Sequence, residues 1–359
     1  MRRNGKGASF LSTKESKKSK SKPSASNGKP TRKELEQLVE DLRWMYRIRE
    51  FEDQSMRAFR NGLAGGYLHV YTGMEAVAIG WIGEKREDDP VIAAYRDHAY
   101  PMLMGVSPYE VMCEIMGRRD GTSKGKGGSM HLYSAEKHFF GGWGIVGGHT
   151  AMGAGLAFAI KYRGEDRVAL CFYGDGAANA GIVYEAMNMA SLWDLPVVFL
   201  IENNQVAMGT RLEYHAADPE LHKRAVGFGI EHERVDGMDV IQVRKDAARI
   251  LDYVRKNQRP YVVEVMTYRF AGHGAADHDQ SLYRSKEEVE QAKKRDPILL
   301  LSQYLLKHGA IEESDLEQMQ KEAEKEMAEV YEKASAAPKP DPHEVYEDVY
   351  TDMQPEEGH

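Results

Sequence analysis

The chain is short of cysteine, with two in 359 residues. Cys113 and Cys171 stand alone, outside any metal-ligand spacing. A disulfide framework and a thiolate zinc site are therefore both excluded. Each cysteine sits in an apolar setting and reads as a small hydrophobe in a reducing compartment. No run is long and apolar enough to cross a membrane, and no segment repeats, so a membrane anchor and a solenoid are not expected. Residues 1–30 have little apolar content, being dominated by Lys, Ser and Gly. A disordered basic tail is expected there, and a secretory signal is not. The tail is Lys-rich and unpatterned, where mitochondrial presequences favour Arg and amphipathicity. A cytoplasmic location is therefore expected, with the mitochondrial matrix as the alternative. Nine Lys/Arg against one Glu give this tail +8, which leaves −16 for the remainder of a chain whose total is −8. An acidic body argues against nucleic-acid binding by the fold. The tail itself reads either as solvated chain or as an arm that docks on an acidic face of a partner.

What is present centres on Arg167 to Thr210. The apolar run Val168–Tyr173 stops at Gly174-Asp175-Gly176-Ala177-Ala178-Asn179, and a second, Pro196–Ile201, stops at Glu202-Asn203-Asn204. Between them, Ile182–Trp193 carries apolar residues at mixed helical spacing. This predicts a right-handed βαβ unit with parallel strands buried on both faces. The expected fold is α/β, a mostly parallel sheet with helices on both faces. Loops at the C-terminal ends of neighbouring strands lie side by side, and ligands bind there. Asp175 and Asn204 then bring a carboxylate and an amide oxygen together, hard donors suited to Mg²⁺ or Ca²⁺. The glycines around Asp175 let backbone N–H groups approach an anion at the start of the next helix. The pair suggests a metal holding a diphosphate; the plainer reading is a turn residue at each strand end.

The rest of the chain falls into line around that unit. Thr31 and Glu34 form a capping box before an amphipathic helix. Val91–Ala94 is a short strand ending in Tyr95-Arg96, which by the same logic reach a phosphate or, for Arg96, a surface ion pair. Ser107-Pro108-Tyr109-Glu110 opens another helix. Gly117–Gly148 is a glycine-dense stretch too long to be idle connection. Thr150–Lys161, Glu231–Val235, Val240–Lys256 and Val262–Met266 follow as helix, strand, helix and strand. Ser285 with Glu288, and Ser314 with Glu317, predict two more capped helices. One domain is expected over 31–335, with a helical C-terminal part, and a Pro-rich acidic tail over 336–359.

Gly-Asp-Gly followed, after a helix and a strand, by Asn-Asn resembles the signature of thiamine-diphosphate enzymes. With Lys124-Gly125-Lys126-Gly127-Gly128-Ser129-Met130-His131, Gly144-Ile145-Val146-Gly147 and Val235-Asp236-Gly237-Met238-Asp239, the chain resembles the α subunits of thiamine-diphosphate-dependent 2-oxo acid dehydrogenases, in particular of the pyruvate dehydrogenase complex's first enzyme. The likeness runs from about Leu35 to the C-terminal tail. It implies thiamine diphosphate and Mg²⁺ as cofactors, because a 2-oxo acid needs a nucleophile and an electron sink to lose CO₂. It implies Asp175 and Asn204 as metal ligands through side chains and Val206 through its carbonyl. It implies Gly176 and Ala177 as backbone against the diphosphate, with Tyr95, Arg96 and Arg269 binding it. Backbone at Gly144 and Val146 would contact the aminopyrimidine ring. His69 and His273 would face the substrate, His273 also touching cofactor, where an imidazole stabilises charge or moves a proton. Tyr67 would line the substrate pocket. Without the resemblance each of these two histidines, among 13, reads equally as an ordinary one.

The resemblance also implies partners: a β subunit supplying an activating Glu, in a complex of two α and two β chains, and a lipoyl-bearing acyltransferase core. The implied reaction is decarboxylation of pyruvate and reductive acetylation of the lipoyl group, giving acetyl-CoA in the whole complex. Acetoin or a branched-chain 2-oxo acid is the alternative substrate. Three positions depart from the family pattern. Val206 replaces a common aromatic, Ala271 a usual His, and Gly274 stands where animal enzymes carry an inhibitory phosphorylated Ser. A separate reading comes from Gly142, Gly144 and Gly147, which match G-x-G-x-x-G with Glu165 and Asp166 downstream. A nicotinamide site would require a clear strand before Gly142, and Glu136–Phe140 makes a poor one, so the match reads as accidental.

Overall fold

The computed structural model describes residues 30–349. Apart from Pro30, the basic tail lies outside the described residues, as do 350–359. Helix α1 (Arg32–Arg60) opens with the expected capping box: the Thr31 hydroxyl accepts from Glu34 N–H, and the Glu34 carboxylate accepts from Thr31 N–H. Its stripe Leu38, Leu42, Met45, Ile48 and Phe51 is buried, and Glu52 is buried with it. Helix α2 (Glu75–Glu84) is apolar on nearly every side and buried over Glu75–Ile82, as a helix without a polar face must be. Strand β1 (Val91–Ala94) leads to α3 (Ala99–Leu103) and α4 (Pro108–Ile115), the latter capped by Ser107 with Glu110. Next come β2 (Phe139–Trp143), α5 (His149–Tyr162), β3 (Ala169–Gly174), α6 (Gly181–Leu192) and β4 (Val197–Asn203). A tight hairpin of β5 (Val206–Ala207) and β6 (Thr210–Arg211) runs into the single turn α7 (Leu212–His215). Strand β7 (Glu231–Asp236), α8 (Val240–Asn257) and β8 (Tyr261–Met266) complete the sheet, and α9 (Lys286–Lys293), α10 (Pro297–Lys307) and α11 (Glu313–Ala336) follow.

The main sheet has six strands in the order β2-β1-β3-β4-β8-β7, all parallel. The α/β fold expected from the sequence is therefore the fold observed. The apolar runs of β3 and β4 hide an alternation of period two. Leu170, Phe172, Val198 and Leu200 pack into the layer with α1, α2 and α8. Ala169, Cys171, Val197, Phe199 and Ile201 pack into the layer with α5 and α6. Both faces are covered, which is why no residue of these strands is polar before Glu202. Because the strands are parallel, all their C-terminal ends, with the loops that follow, share one edge.

Two expectations need correction. Phe139–Trp143 is a strand after all: it pairs parallel with β1, Phe139 opposite Val91 and Gly142 opposite Ala93. Phe139, Phe140 and Trp143 favour a strand while Gly141 and Gly142 weaken it, and the neighbouring strand supplies the ladder. The dinucleotide reading still fails, now for a geometric reason. Gly142 lies inside β2, and Glu165 and Asp166 precede β3, at the opposite edge of the sheet from Gly144 and Gly147. Asp166 pairs with Arg86 at 2.7 Å. Secondly, α11 is capped by Glu312 with Asp315 rather than by Ser314 with Glu317, so Ser314 lies within its first turn.

One side chain ties the helical part to the sheet's binding edge. Arg49 on α1 pairs with Glu75 of α2 at 2.5 Å and with Asp296, the cap of α10, at 3.0 Å. Its guanidinium also lies 5.6 Å from the centre of the Phe270 ring, in the loop after β8. At the other end of the chain, Asp348 accepts from Lys124 at 2.8 Å and Lys126 at 3.1 Å.

Candidate active site

Loops at the C-terminal ends of β1, β3, β4 and β8 enclose a cleft of about 220 Å³. Tyr95 and Arg96 enter it from β1, Asp175, Gly176 and Ala177 from β3, Asn204 and Val206 from β4, and Arg269 and His273 from β8. Val146 closes it from the segment after β2. His69 adjoins this cleft, its ring 4.4 Å from Tyr95 and 5.0 Å from His273. Tyr67 stands further out, 76% exposed, with its ring 6.5 Å from His69. Gly144 does not line the cleft. It lies in a neighbouring groove of about 640 Å³ beside His131 and Trp143.

The electrostatics of the cleft are uneven. Arg96 and Arg269 are both buried, and among the described residues neither forms an ion pair with a carboxylate. Among the described residues Arg96 donates only to the carbonyls of Val70 and, at 2.8 Å, His273. Arg269 donates to the carbonyls of Ala271 at 3.1 Å and Met208 at 3.4 Å, and meets His273 Nδ1 at 3.3 Å. Burial pulls both guanidiniums below their ordinary pKa, and repulsion from Arg96 adds to the effect at Arg269, which falls to about 10. Two cations held out of water without a carboxylate in direct contact make a site that gains by taking an anion.

The oxygen donors sit on the other side. Asp175 is buried, and its one hydrogen-bond partner among the described residues is His215 Nε2, at 3.1 Å. Asn204 Oδ1 turns back to accept from Val206 N–H at a long 3.3 Å. A Cβ added at Gly176 would lie 2.8 Å from the Cβ of Ala207, so a side chain there has no room and the backbone stays bare. Among the described residues no three His, Cys, Asp or Glu side chains gather as a metal cluster. The side-chain donors at this cleft are instead a carboxylate and an amide, of the kind preferred by a hard cation. Unpaired arginines on one side and hard oxygens on the other fit a diphosphate with its divalent metal.

The two histidines are held neutral. Burial, then the nearby Arg96 charge, lowers His69 to about 2, and the same causes lower His273 to about 3. His69 Nδ1 is buried without a hydrogen-bond partner. The backbone N–H of His273 donates to Asp277 Oδ2 at 2.7 Å, which fixes the loop. Both rings therefore meet a ligand as uncharged donors or acceptors.

Sequence reasoning missed the polar wall behind the cleft. Glu202, which lines it, accepts from Tyr71 OH at 2.5 Å and Tyr100 OH at 2.7 Å. Burial pushes its carboxyl up to about 7 against those two hydrogen bonds. Further back, Glu52 and His98 form a fully buried pair at 2.8 Å. The signals were present: a carboxylate ends the apolar run of β4, and Glu52 sits four residues after Ile48, on the apolar stripe of α1. A charge on a buried stripe needs a partner, and His98, next to Asp97 after β1, is that partner. His215 carries no comparable signal.

Comparison with known proteins places these features in a family. A model described as "Dehydrogenase E1 component" matches residues 43–343. The pyruvate dehydrogenase E1 component subunit alpha of Rhizobium meliloti is 44% identical over 308 residues, covering 86% of this chain and 88% of that protein. The protein of the same name from Rickettsia felis is 42% identical over 322 residues, 90% of this chain and 97% of that protein. The mitochondrial protein of that name from Solanum tuberosum is 42% identical over 319 residues, 89% and 80% of the two chains.

Proposed function

The chain belongs to the dehydrogenase E1 component family, and on that premise we propose that it is the α subunit of a pyruvate dehydrogenase (acetyl-transferring). The enzyme decarboxylates pyruvate and passes the acetyl group to a lipoyl arm of the next enzyme, so that the whole complex yields acetyl-CoA. The observation that carries this reading is the cleft itself: Arg96 and Arg269, buried without carboxylates, face Asp175 and Asn204 across about 220 Å³. Thiamine diphosphate, when bound, supplies the carbanion that attacks the 2-oxo group and the sink that takes the electrons released with CO₂.

The chain's own residues bind, orient and stabilise charge. Arg96 and Arg269 hold the diphosphate, with Tyr95 beside them and the bare backbone of Gly176 and Ala177 close by. Asp175, Asn204 and the carbonyl of Val206 hold Mg²⁺, whose charge matches the oxygens it meets. Val146 and, from the adjoining groove, Gly144 present backbone to the aminopyrimidine ring. His69 and His273 stand at the reacting end as neutral imidazoles, able to hydrogen-bond a carboxylate or carbonyl oxygen and so stabilise the charge that develops there. Tyr67, out at the mouth, would wall the substrate pocket. A β subunit, in a complex of two α and two β chains, contributes the remaining side of the site, including an acid toward the aminopyrimidine. The lipoyl-bearing acyltransferase core is the third component. A cytoplasmic setting suits the bacterial relatives, with the mitochondrial matrix as the alternative raised by the plant relative.

The test is pyruvate-dependent reduction of an artificial electron acceptor by the chain with and without its β subunit, with thiamine diphosphate and Mg²⁺ added. Activity only with both subunits and both cofactors supports the whole reading. Turnover of acetoin or a branched-chain 2-oxo acid in preference to pyruvate keeps the site and changes the substrate. Full activity of the chain alone overturns the split site.

A further inference from the structure

The segment His69–Val70–Tyr71 carries the substrate-facing imidazole, yet it belongs to no helix or strand. Something outside secondary structure must hold it. In an extended segment, backbone N–H groups two residues apart point to the same side, and those of His69 and Tyr71 meet a line of three buried side chains. Tyr71 N–H donates to Glu52 Oε1 at 2.9 Å. Glu52 Oε2 meets His98 Nδ1 at 2.8 Å, and His98 Nε2 meets Ser129 Oγ at 2.8 Å. Ser129 Oγ in turn takes His69 N–H, at a long 3.4 Å. The three side chains come from α1, from the turn after β1 and from the glycine-rich stretch, so they join elements far apart in sequence.

We propose that Glu52, His98 and Ser129 form a positioning relay, in which the Ser129 hydroxyl sets the place of the His69 backbone and hence of its ring. This deepens the reading above and rests on His69 facing the 2-oxo acid. The order of groups is that of a nucleophile triad, Ser to His to carboxylate. A nucleophile role fails here because Ser129 is buried and lines neither the cleft nor the neighbouring groove. The hydroxyl suits a bridge instead. Whether His98 donates to it or accepts from it, a lone pair on Oγ remains for His69 N–H. The Glu52 carboxylate makes His98 a strong link: its charge raises the imidazole's pKa against the burial that lowers it.

The experiment uses the chain assembled with its β subunit and compares wild type with Ser129→Ala, Ser129→Thr and His69→Ala. Ser129→Ala is expected to lower kcat about 10- to 100-fold, the cost of a small misplacement at the reacting centre. The pyruvate KM and the half-saturating thiamine diphosphate concentration should stay within about threefold, since binding groups are untouched. Amide exchange in the peptide containing His69 should quicken. Ser129→Thr keeps the hydroxyl and should restore kcat to within about threefold of wild type. If His69→Ala loses activity and Ser129→Ala does not, the relay falls and the site stands. If Ser129→Thr fails to restore kcat, or cofactor half-saturation shifts as far as kcat, the residue serves packing and the proposal is overturned. If His69→Ala keeps full kcat, the reading of the site fails, and the relay fails with it. Should Ser129→Ala not assemble, Glu52→Gln reads the same line: lowered kcat supports the relay, and unchanged kcat overturns it.

Discussion

Two polar regions meet at His69. Behind it, Glu52, His98, Tyr71, Tyr100 and Glu202 answer one another, each acidic oxygen named above meeting an N–H or O–H donor. In front of it, among the described residues, Arg96 and Arg269 hydrogen-bond only to carbonyls and an imidazole, and the Asp175 side chain only to His215. Burial is equally deep in both. The difference is therefore one of completeness. The five side chains of the rear network satisfy one another and act as a wall, although Asp97 beside His98 keeps both carboxylate oxygens without a hydrogen-bond partner among the described residues; the front is left open in charge and is finished by whatever binds. A protein that buries two guanidiniums without carboxylates gives up stability there, and the sensible recipient of that loss is a ligand.

The strongest way to break the comparison is at the front. Asp175→Ala should lower the activity of the assembled enzyme by more than about 100-fold, since even partners one step removed from a metal cost that much. It should also abolish the rise in melting temperature on adding Mg²⁺ and thiamine diphosphate, while the apo protein melts close to wild type. At the rear the order reverses. Glu52→Ala should destabilise the apo chain by about 3 kcal/mol, as removal of one half of a buried pair does, read from denaturant midpoints.

Glycines sharpen the contrast on a smaller scale. A Cβ at Gly142 would fall 1.9 Å from the carboxylate of Asp97, so Gly142→Ala should cost about 1–3 kcal/mol in overpacking. At Gly174, on the open side, a Cβ meets nothing within 4 Å, and Gly174→Ala should leave apo stability within about 0.5 kcal/mol.

The subtlest test is pH. His98 is raised above its ordinary value, so its stabilising effect is complete below about 6.5 and fades as pH climbs through its folded value. His69 and His273, lowered to about 2 and about 3, behave in the opposite sense. Their stability is complete above about 6.5 and declines as pH falls from there. Denaturant midpoints across pH should therefore lose part of their alkaline decline in His98→Gln. They should lose part of their acid decline in the His69→Gln, His273→Gln double variant.

Much of this was legible in the chain. The βαβ unit from Ala169 to Asn203 follows directly from two apolar runs and their stops, because strands buried on both faces leave no other pattern. The capping boxes at Thr31 and Ser107 were equally clear, since their hydrogen bonds are local. What escaped depends on distance. Phe139–Trp143 becomes a strand only because Val91–Ala94 lies beside it. Glu52 and His98 are 46 residues apart, and nothing in either stretch names the other. The cap at Glu312 rather than Ser314 turned on which of two neighbouring polar residues the incoming chain could bend to use. At the cleft, residue types at strand ends announced the site, while the unpaired state of its arginines required the fold.

Arg49 has a consequence for anyone who would make this molecule smaller. It is grasped by Glu75 from one direction and Asp296 from another, and it rests near Phe270, three residues from His273. The helices after residue 285 look like an ornament on a nucleotide-type sheet, a natural place to trim. Cutting before Asp296 would leave Arg49 held by Glu75 alone and so loosen the guanidinium that lies beside the Phe270 ring. The appendage is a buttress, and a minimal catalytic subunit has to carry it.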